Sequence, residues 1–214
     1  MYGLFITFEG PDGGGKTTQL HLLKEALEQR NCEVVLTREP GGTLISDQIR
    51  RILLHPNSKH MRAETEVLLY AASRAQHVRE KIYPALAAGK IVLCDRFVDA
   101  SIAYQASGLG IEEEHVKQIN AFATDGLTPD RTYLLDVPPE VGRQRLRLRS
   151  GGEFGAQLDR IESREADYHR KVRRAFLDLA HKEKRILLID GTQAVHTIQN
   201  MILEDVEKIL APGK

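Results

Sequence analysis

Two hydrophobic rhythms alternate along this chain. Short, nearly unbroken apolar runs occur at Leu4–Glu9, Glu33–Thr37, Ile91–Asp95, Arg131–Val137 and Arg185–Asp190. Runs of that length without polar alternation predict strands buried on both faces of a parallel sheet. Between them, apolar residues recur every three or four positions, as at Leu20, Leu23 and Leu27 beside Ala26, and at Ile45, Ile49, Ile52 and Leu53. That period predicts helices: one over Thr18–Arg30, a second around Ile45–Leu53, and a long helix or kinked pair over Ala63–Ala88, distorted late by Pro84. Further helices fit Ser101–Ser107, Glu112–Thr124, Pro139–Arg149, Ile161–Lys184 and Ala194–Leu210. Strand–helix alternation of this kind specifies an α/β fold with a parallel sheet and helices on both faces.

No internal repeat, low-complexity tract or interdomain linker interrupts the pattern, so residues 1–214 are expected to form one domain. The glycine-rich stretch S-G-G-E-F-G-A-Q, Ser150–Gln157, lies between two arginine-rich helices. It reads as a flexible loop, either a plain surface connection or, in the preferred reading, the soft part of a lid spanning about residues 143–160.

Ligands gather at the carboxyl ends of parallel strands. Here those ends carry Glu9-Gly10, Arg38-Glu39, Asp95-Arg96 and Asp136, a mixture suited to a magnesium nucleotide and a second anionic substrate. After the first strand, Gly10, Pro11, Asp12, Gly13, Gly14, Gly15, Lys16 and Thr17 match the phosphate-loop pattern G-x-x-x-x-G-K-S/T. Its glycines let backbone N–H groups turn toward a phosphate, and the next helix points its positive end at the same anion. Lys16 would reach the β- and γ-phosphates of ATP, and Thr17 would hold Mg²⁺. A GTPase would need a guanine-reading N-K-x-D, which is absent, and a D-x-x-G after a later strand; the one D-x-x-G here, Asp12–Gly15, is part of the phosphate loop itself. Asp95, which can hold metal-bound water, and Arg96, a phosphate clamp, favour a small-molecule kinase.

Charge and composition narrow the partners. Lys and Arg equal Asp and Glu at 30 each, so no global field recruits nucleic acid or a membrane surface. No run of 18 apolar residues is present, and the N-terminus lacks a basic region before an apolar core. With only Cys32 and Cys94, a reduced, cytoplasmic protein is expected.

Five blocks make the chain resemble the bacterial thymidylate kinase family over nearly its whole length: F-E-G-P-D-G-G-G-K-T-T-Q, T-R-E-P-G-G-T, L-L-Y-A-A-S-R, D-R-F-V-D-A-S-I-A-Y-Q and L-D-R-I-E. The resemblance implies a P-loop nucleoside monophosphate kinase with a five-stranded parallel sheet in the order 2-3-1-4-5. It implies transfer from ATP to dTMP with Mg²⁺, and a homodimer. The implied roles are base stacking by Tyr70, base hydrogen bonds from Arg74, Gln105 and Ser101, phosphate contacts by Arg50 and Arg96, and a sugar contact by Asp12. Glu39 falls beside the phosphates and the metal, with Thr17 and Asp95. Catalysis is assigned to Lys16, Arg96 and arginines of the lid, with Arg149 and Arg160 favoured over Arg145 and Arg147. The chain departs from the family pattern at Ser46-Asp47, Tyr70, Ala100, Ala106 and Leu109. Alternatives are a kinase for another pyrimidine monophosphate or a nucleoside, and a phosphate-loop ATPase.

Overall fold

The computed structural model describes residues 3–149 and 159–211. Five parallel strands, β1 (Phe5–Glu9), β2 (Val34–Arg38), β3 (Ile91–Asp95), β4 (Arg131–Asp136) and β5 (Ile186–Asp190), form one sheet in the order β2-β3-β1-β4-β5. In-register pairs such as Phe8 with Asp95, Arg38 with Asp95 and Asp136 with Asp190 bring the carboxyl ends of the strands to one edge. β1 and most of β3 and β4 are buried, as their unbroken apolar runs require. β2 and β5 are more exposed than their runs suggested, because each is an edge strand with only one neighbour.

Helices cover both faces. Leu20, Leu23 and Leu27 of α1 (Lys16–Glu28) and Ile198, Ile202 and Val206 of α9 (Val195–Leu210) pack on Ile6, Phe8, Leu93 and Tyr133. On the opposite face, Phe5, Val92 and Cys94 meet Val78, Ile82 and Leu86, while Leu134 and Ile186 meet α8 (Ala166–Lys182) through Val172 and Phe176. The remaining helices are α2 (Leu44–Leu54), α3 (Ala63–His77), α4 (Tyr83–Ala87), α5 (Val98–Ser101), α6 (Glu113–Thr124) and α7 (Pro139–Arg149). Among the described residues no helix is long and apolar enough to cross a membrane.

One helical expectation is refined and two are corrected. The long third helix is one path with a π-helical segment, Val78–Ile82, between α3 and α4. The N–H of Tyr83 reaches back to Val78, and Pro84, which has no N–H, follows directly. The helix expected at Ser101–Ser107 begins earlier, at Val98, and continues as a π-helical segment over Ile102–Gly108. The helix expected from Ile161 starts only at Ala166. There the Asp159 carboxylate accepts from the N–H groups of Ile161 and Glu162, while Glu162 accepts from the Asp159 N–H, closing a turn instead.

Candidate active site

β1 ends at Glu9 and hands the chain to the phosphate loop. Gly13 and Gly15 adopt left-handed backbone, φ 76° and 93°, before α1 begins at Lys16. Gly15 caps α1 without a side-chain acceptor, so the first N–H groups of the helix are free of a competing cap. Lys16 is buried and donates to the carbonyls of Gly10 and Pro11 at 3.0 and 2.9 Å. Burial, then the neighbouring Arg96, lowers its pKa. Thr17 Oγ1 donates to Asp95 Oδ2 at 3.0 Å, joining two of the three expected metal-site residues. The loop opens onto a cavity of about 540 Å³ that also reaches Glu39, Arg50 and Arg96.

Behind it lies a smaller cavity of about 90 Å³, lined by all eight residues expected to bind the acceptor: Asp12, Glu39, Arg50, Tyr70, Arg74, Arg96, Ser101 and Gln105. Asp12 and Arg96 form an ion pair at 2.7 Å. Burial pushes the Asp12 pKa up, but Arg96 and Lys16 outweigh it and hold the carboxyl at about 2. Arg96 also donates to the Tyr104 hydroxyl at 3.0 Å and lies over that ring, 4.8 Å from its centroid. Its Nη1 is buried without a hydrogen-bond partner among the described residues, as is Glu9 Oε2, 4.0 Å away. Arg50 Nη1 donates to the Pro40 carbonyl at 2.9 Å, from α2, whose first turn is capped by Thr43. Tyr70 is half-buried, and that burial, with Glu66 nearby, pushes its phenol pKa up.

Arg74 is the most heavily bonded group of the site. Its Nε donates to Glu39 Oε2 at 2.6 Å, Nη1 donates to Ser101 and Asn120, and Nη2 donates to the Phe97 carbonyl. Those bonds use four of its five N–H donors. Ser101 therefore acts here as a support for Arg74. The other Glu39 oxygen meets His77 Nδ1 at 2.9 Å, so Glu39 braces Arg74 and His77 while Thr17 and Asp95 pair with each other. Among the described residues no group of three or more His, Cys, Asp or Glu side chains could hold a metal by itself.

Arg160, expected in catalysis, is tied down elsewhere: Nε donates to the Leu53 carbonyl at 2.7 Å and Nη2 lies 2.7 Å from Glu66 Oε2. The turn begun by Asp159 aims it there, and it lines neither cavity. Arg149 closes α7, but its side chain and residues 150–158 lie outside the described residues, and so does most of the expected lid. Arg145, held in reserve by the sequence, is the arginine of α7 beside the loop, donating to Gly13 and Gly191 carbonyls at 3.3 and 2.9 Å. Beside it a third cavity of about 310 Å³ is lined by Gly13–Gly15, Thr18, Gly191 and Gln193.

Sequence reasoning missed Glu66 and Tyr104. Glu66 accepts from Gln105 and Arg164 and faces Arg160. Its signal was positional: Glu66, Tyr70 and Arg74 are four residues apart on one face of α3. Tyr104 lies inside a quoted block, but only the structure sets its hydroxyl on Arg96.

The sheet order, the phosphate loop at its centre and the second cavity beside it define a P-loop kinase fold. A family model described as Thymidylate kinase matches residues 8–202, and the chain belongs to that family. It is 53% identical over 207 residues to a thymidylate kinase of Exiguobacterium sibiricum, covering 96% of this chain and 95% of that one. It is 50% identical over 212 residues to a thymidylate kinase of Geotalea uraniireducens, covering 99% and 100%. The crystal structure of thymidylate kinase from Ehrlichia chaffeensis superposes with a TM-score of 0.76 at 34% identity, covering 97% of this chain and 99% of that one.

Proposed function

We propose that this protein transfers the γ-phosphoryl group of ATP to the phosphate of dTMP, giving dTDP and ADP for dTTP synthesis. One observation carries the reading: Asp12, Glu39, Arg50 and Arg96 line both the phosphate-loop cavity and the acceptor cavity. A donor in one and an acceptor in the other would meet at two arginines. Two anionic phosphates repel, so their approach needs cations placed between them.

In this reading Lys16 leaves the Gly10 and Pro11 carbonyls for the β- and γ-phosphates. Adenine occupies the cavity beside Arg145, Gly191 and Gln193. The unpartnered Nη1 of Arg96 and the guanidinium of Arg50 hold the dTMP phosphate, and Asp12 accepts from the sugar hydroxyl. Thymine lies against Tyr70, with Gln105 and the remaining N–H of Arg74 at its polar edge. The acceptor oxygen is already anionic, so no strong general base is required. Thr17 and Asp95 form an all-oxygen pair that would hold Mg²⁺, with Glu39 at the edge of the same cavity. When bound, Mg²⁺ supplies neutralising charge to the phosphates.

We take residues 1–214 as one domain with a lid over about 143–160 and assign Arg149 and Arg160 to catalysis; the Arg149 side chain and residues 150–158 lie outside the described residues, and Arg160 would take part only by leaving Glu66. We place the enzyme in the cytoplasm as a homodimer, without nucleic-acid or membrane partners. Apolar side chains exposed on α2, α3 and α6, among them Leu44, Leu68 and Phe122, support the dimer.

The test is ADP release, coupled to a recorder reaction, with dTMP, dUMP, dCMP, thymidine or no acceptor. We expect dTMP to be used best, dCMP at least about tenfold less well, and thymidine hardly at all. ADP release at the dTMP rate without any acceptor would make this an ATPase.

A further inference from the structure

Glu66 belongs to none of the roles assigned above, yet its side chain is only 1% exposed and is bonded to Gln105, which lines the acceptor cavity. Its Oε1 accepts from Gln105 Nε2 at 3.0 Å. Its Oε2 accepts from Arg164 Nη2 at 2.6 Å and faces Arg160 Nη2 at 2.7 Å. A carboxylate flanked by two guanidinium groups offers acceptors only.

That fact restricts Gln105, which is buried and lines the acceptor cavity. A free carboxamide can turn over, exchanging its oxygen and nitrogen, and so can read either sense of a base edge. Beside Glu66 the turned amide would oppose two oxygens in a dry site and lose its hydrogen bond. The nitrogen stays on Glu66, and Oε1 is left as the amide's acceptor for a ligand. Arg74, one helical turn beyond Tyr70, offers only donors.

We infer that Glu66 is the positioning residue for base selection: by holding the Gln105 nitrogen it makes Gln105 an acceptor toward the ligand, so the cavity takes a pyrimidine with N–H at N3 and refuses cytosine. The inference rests on the proposed reading of this cavity as a pyrimidine nucleotide site. Thymine and uracil carry that N–H and a neighbouring carbonyl. Cytosine offers a bare nitrogen to the Gln105 oxygen and an amine to Arg74, a mismatch at both contacts.

The experiment measures kcat/KM for dTMP, dUMP and dCMP in the parent, Glu66→Gln and Arg164→Gln. Glutamine keeps the size of Glu66 but can present either oxygen or N–H, which frees Gln105 to turn. The dTMP-to-dCMP ratio should fall about tenfold in Glu66→Gln, with dUMP following dTMP and part of the change arising from better use of dCMP. Arg164→Gln removes a neighbour of Glu66 but not its bond to Gln105, so the parent ratio should persist whatever the loss of melting temperature. If Glu66→Gln does not fold, Glu66→Asp keeps the charge but withdraws the carboxylate from Gln105, and the same fall is expected. A ratio unchanged by substitution of Glu66, or lowered equally by Arg164→Gln, would overturn the role of Glu66. A parent that uses none of the three pyrimidine nucleotides would instead overturn the reading of the cavity.

Discussion

Arg96 holds a left-handed backbone, φ 70°, at the end of β3, a conformation that costs a non-glycine residue of order 1 kcal/mol or more. Its N–H is bonded to the Phe8 carbonyl, and its side chain is fixed by Asp12 and Tyr104. That geometry aims the guanidinium across the mouth of β1. Beneath it sits Glu9, whose Oε1 accepts from the N–H groups of Phe97 and Ala100 and so shapes the same turn. Burial, reinforced by Asp99, raises the Glu9 pKa from 4.5 to about 8, against the opposing pull of Arg96. The folded protein thus favours the protonated form. Its stabilising effect is complete below pH 4.5 and is lost as pH rises through about 8. Glu9→Gln keeps an oxygen for Phe97 and Ala100 but cannot ionise. We expect the parent to lose about 1 kcal/mol more stability than this variant between pH 7 and 9. Chemical denaturation at the two pH values measures it, and parallel losses would show that Glu9 ionises freely in the fold.

At the scale of elements, α7 is seated on the phosphate loop by two glycines. A Cβ at Gly142 would lie 2.4 Å from the Asp12 carbonyl oxygen, and one at Gly13 would lie 2.4 Å from the Gly142 oxygen. Glycine inside a helix usually costs about 1 kcal/mol relative to alanine, so Gly142→Ala would be stabilising if α7 stood clear of the loop. We expect the reverse, a loss of about 1–3 kcal/mol as backbone is forced from backbone, together with a raised KM for ATP. A melt at or above that of the parent would detach α7 from the donor site. Gly142 was silent in the sequence, and Glu66 offered only its four-residue spacing to Tyr70 and Arg74, because each answers to a partner far along the chain: Asp12 for one, Gln105 and Arg164 for the other. The strands and the phosphate loop were legible because each follows from a local run or motif, and the quoted blocks carried Asp12, Glu39, Tyr70, Arg74, Arg96, Ser101 and Gln105 to one cavity, with Arg50 reached through the family resemblance alone. The π-helical segments at Val78–Ile82 and Ile102–Gly108 were not, since one added residue per turn hardly alters a 3.6-residue period. The turn at Asp159 was hidden by the apolar and charged residues after it, which imitate a helix while the carboxylate takes the N–H groups.

For the whole molecule, the proposed acceptor site and the proposed dimer surface occupy opposite sides of the same helices. On α3, Glu66 and Arg74 are buried toward the cavity, while Leu68 is exposed. On α2, Arg50 reaches the cavity, while Leu44 and Ile52 are exposed. On α6, Asn120 holds Arg74, and Phe122, two residues along, is 91% exposed. Large apolar groups exposed on helices that pack against one another favour a protein partner. Zero formal net charge means that two copies approach without global repulsion. A second copy covering this face would clamp the helices that carry Arg50, Arg74 and Glu66. Phe122→Glu places a charge where that contact would be buried, while leaving the monomer's core untouched. We expect sedimentation to show a shift from dimer to monomer, with an unchanged fold by circular dichroism. Because the acceptor helices lose their clamp, KM for dTMP should rise several-fold more than KM for ATP. A parent that sediments as a monomer would remove the dimer from the proposal, and a monomeric variant with parental KM for dTMP would show that the acceptor site is complete within one chain.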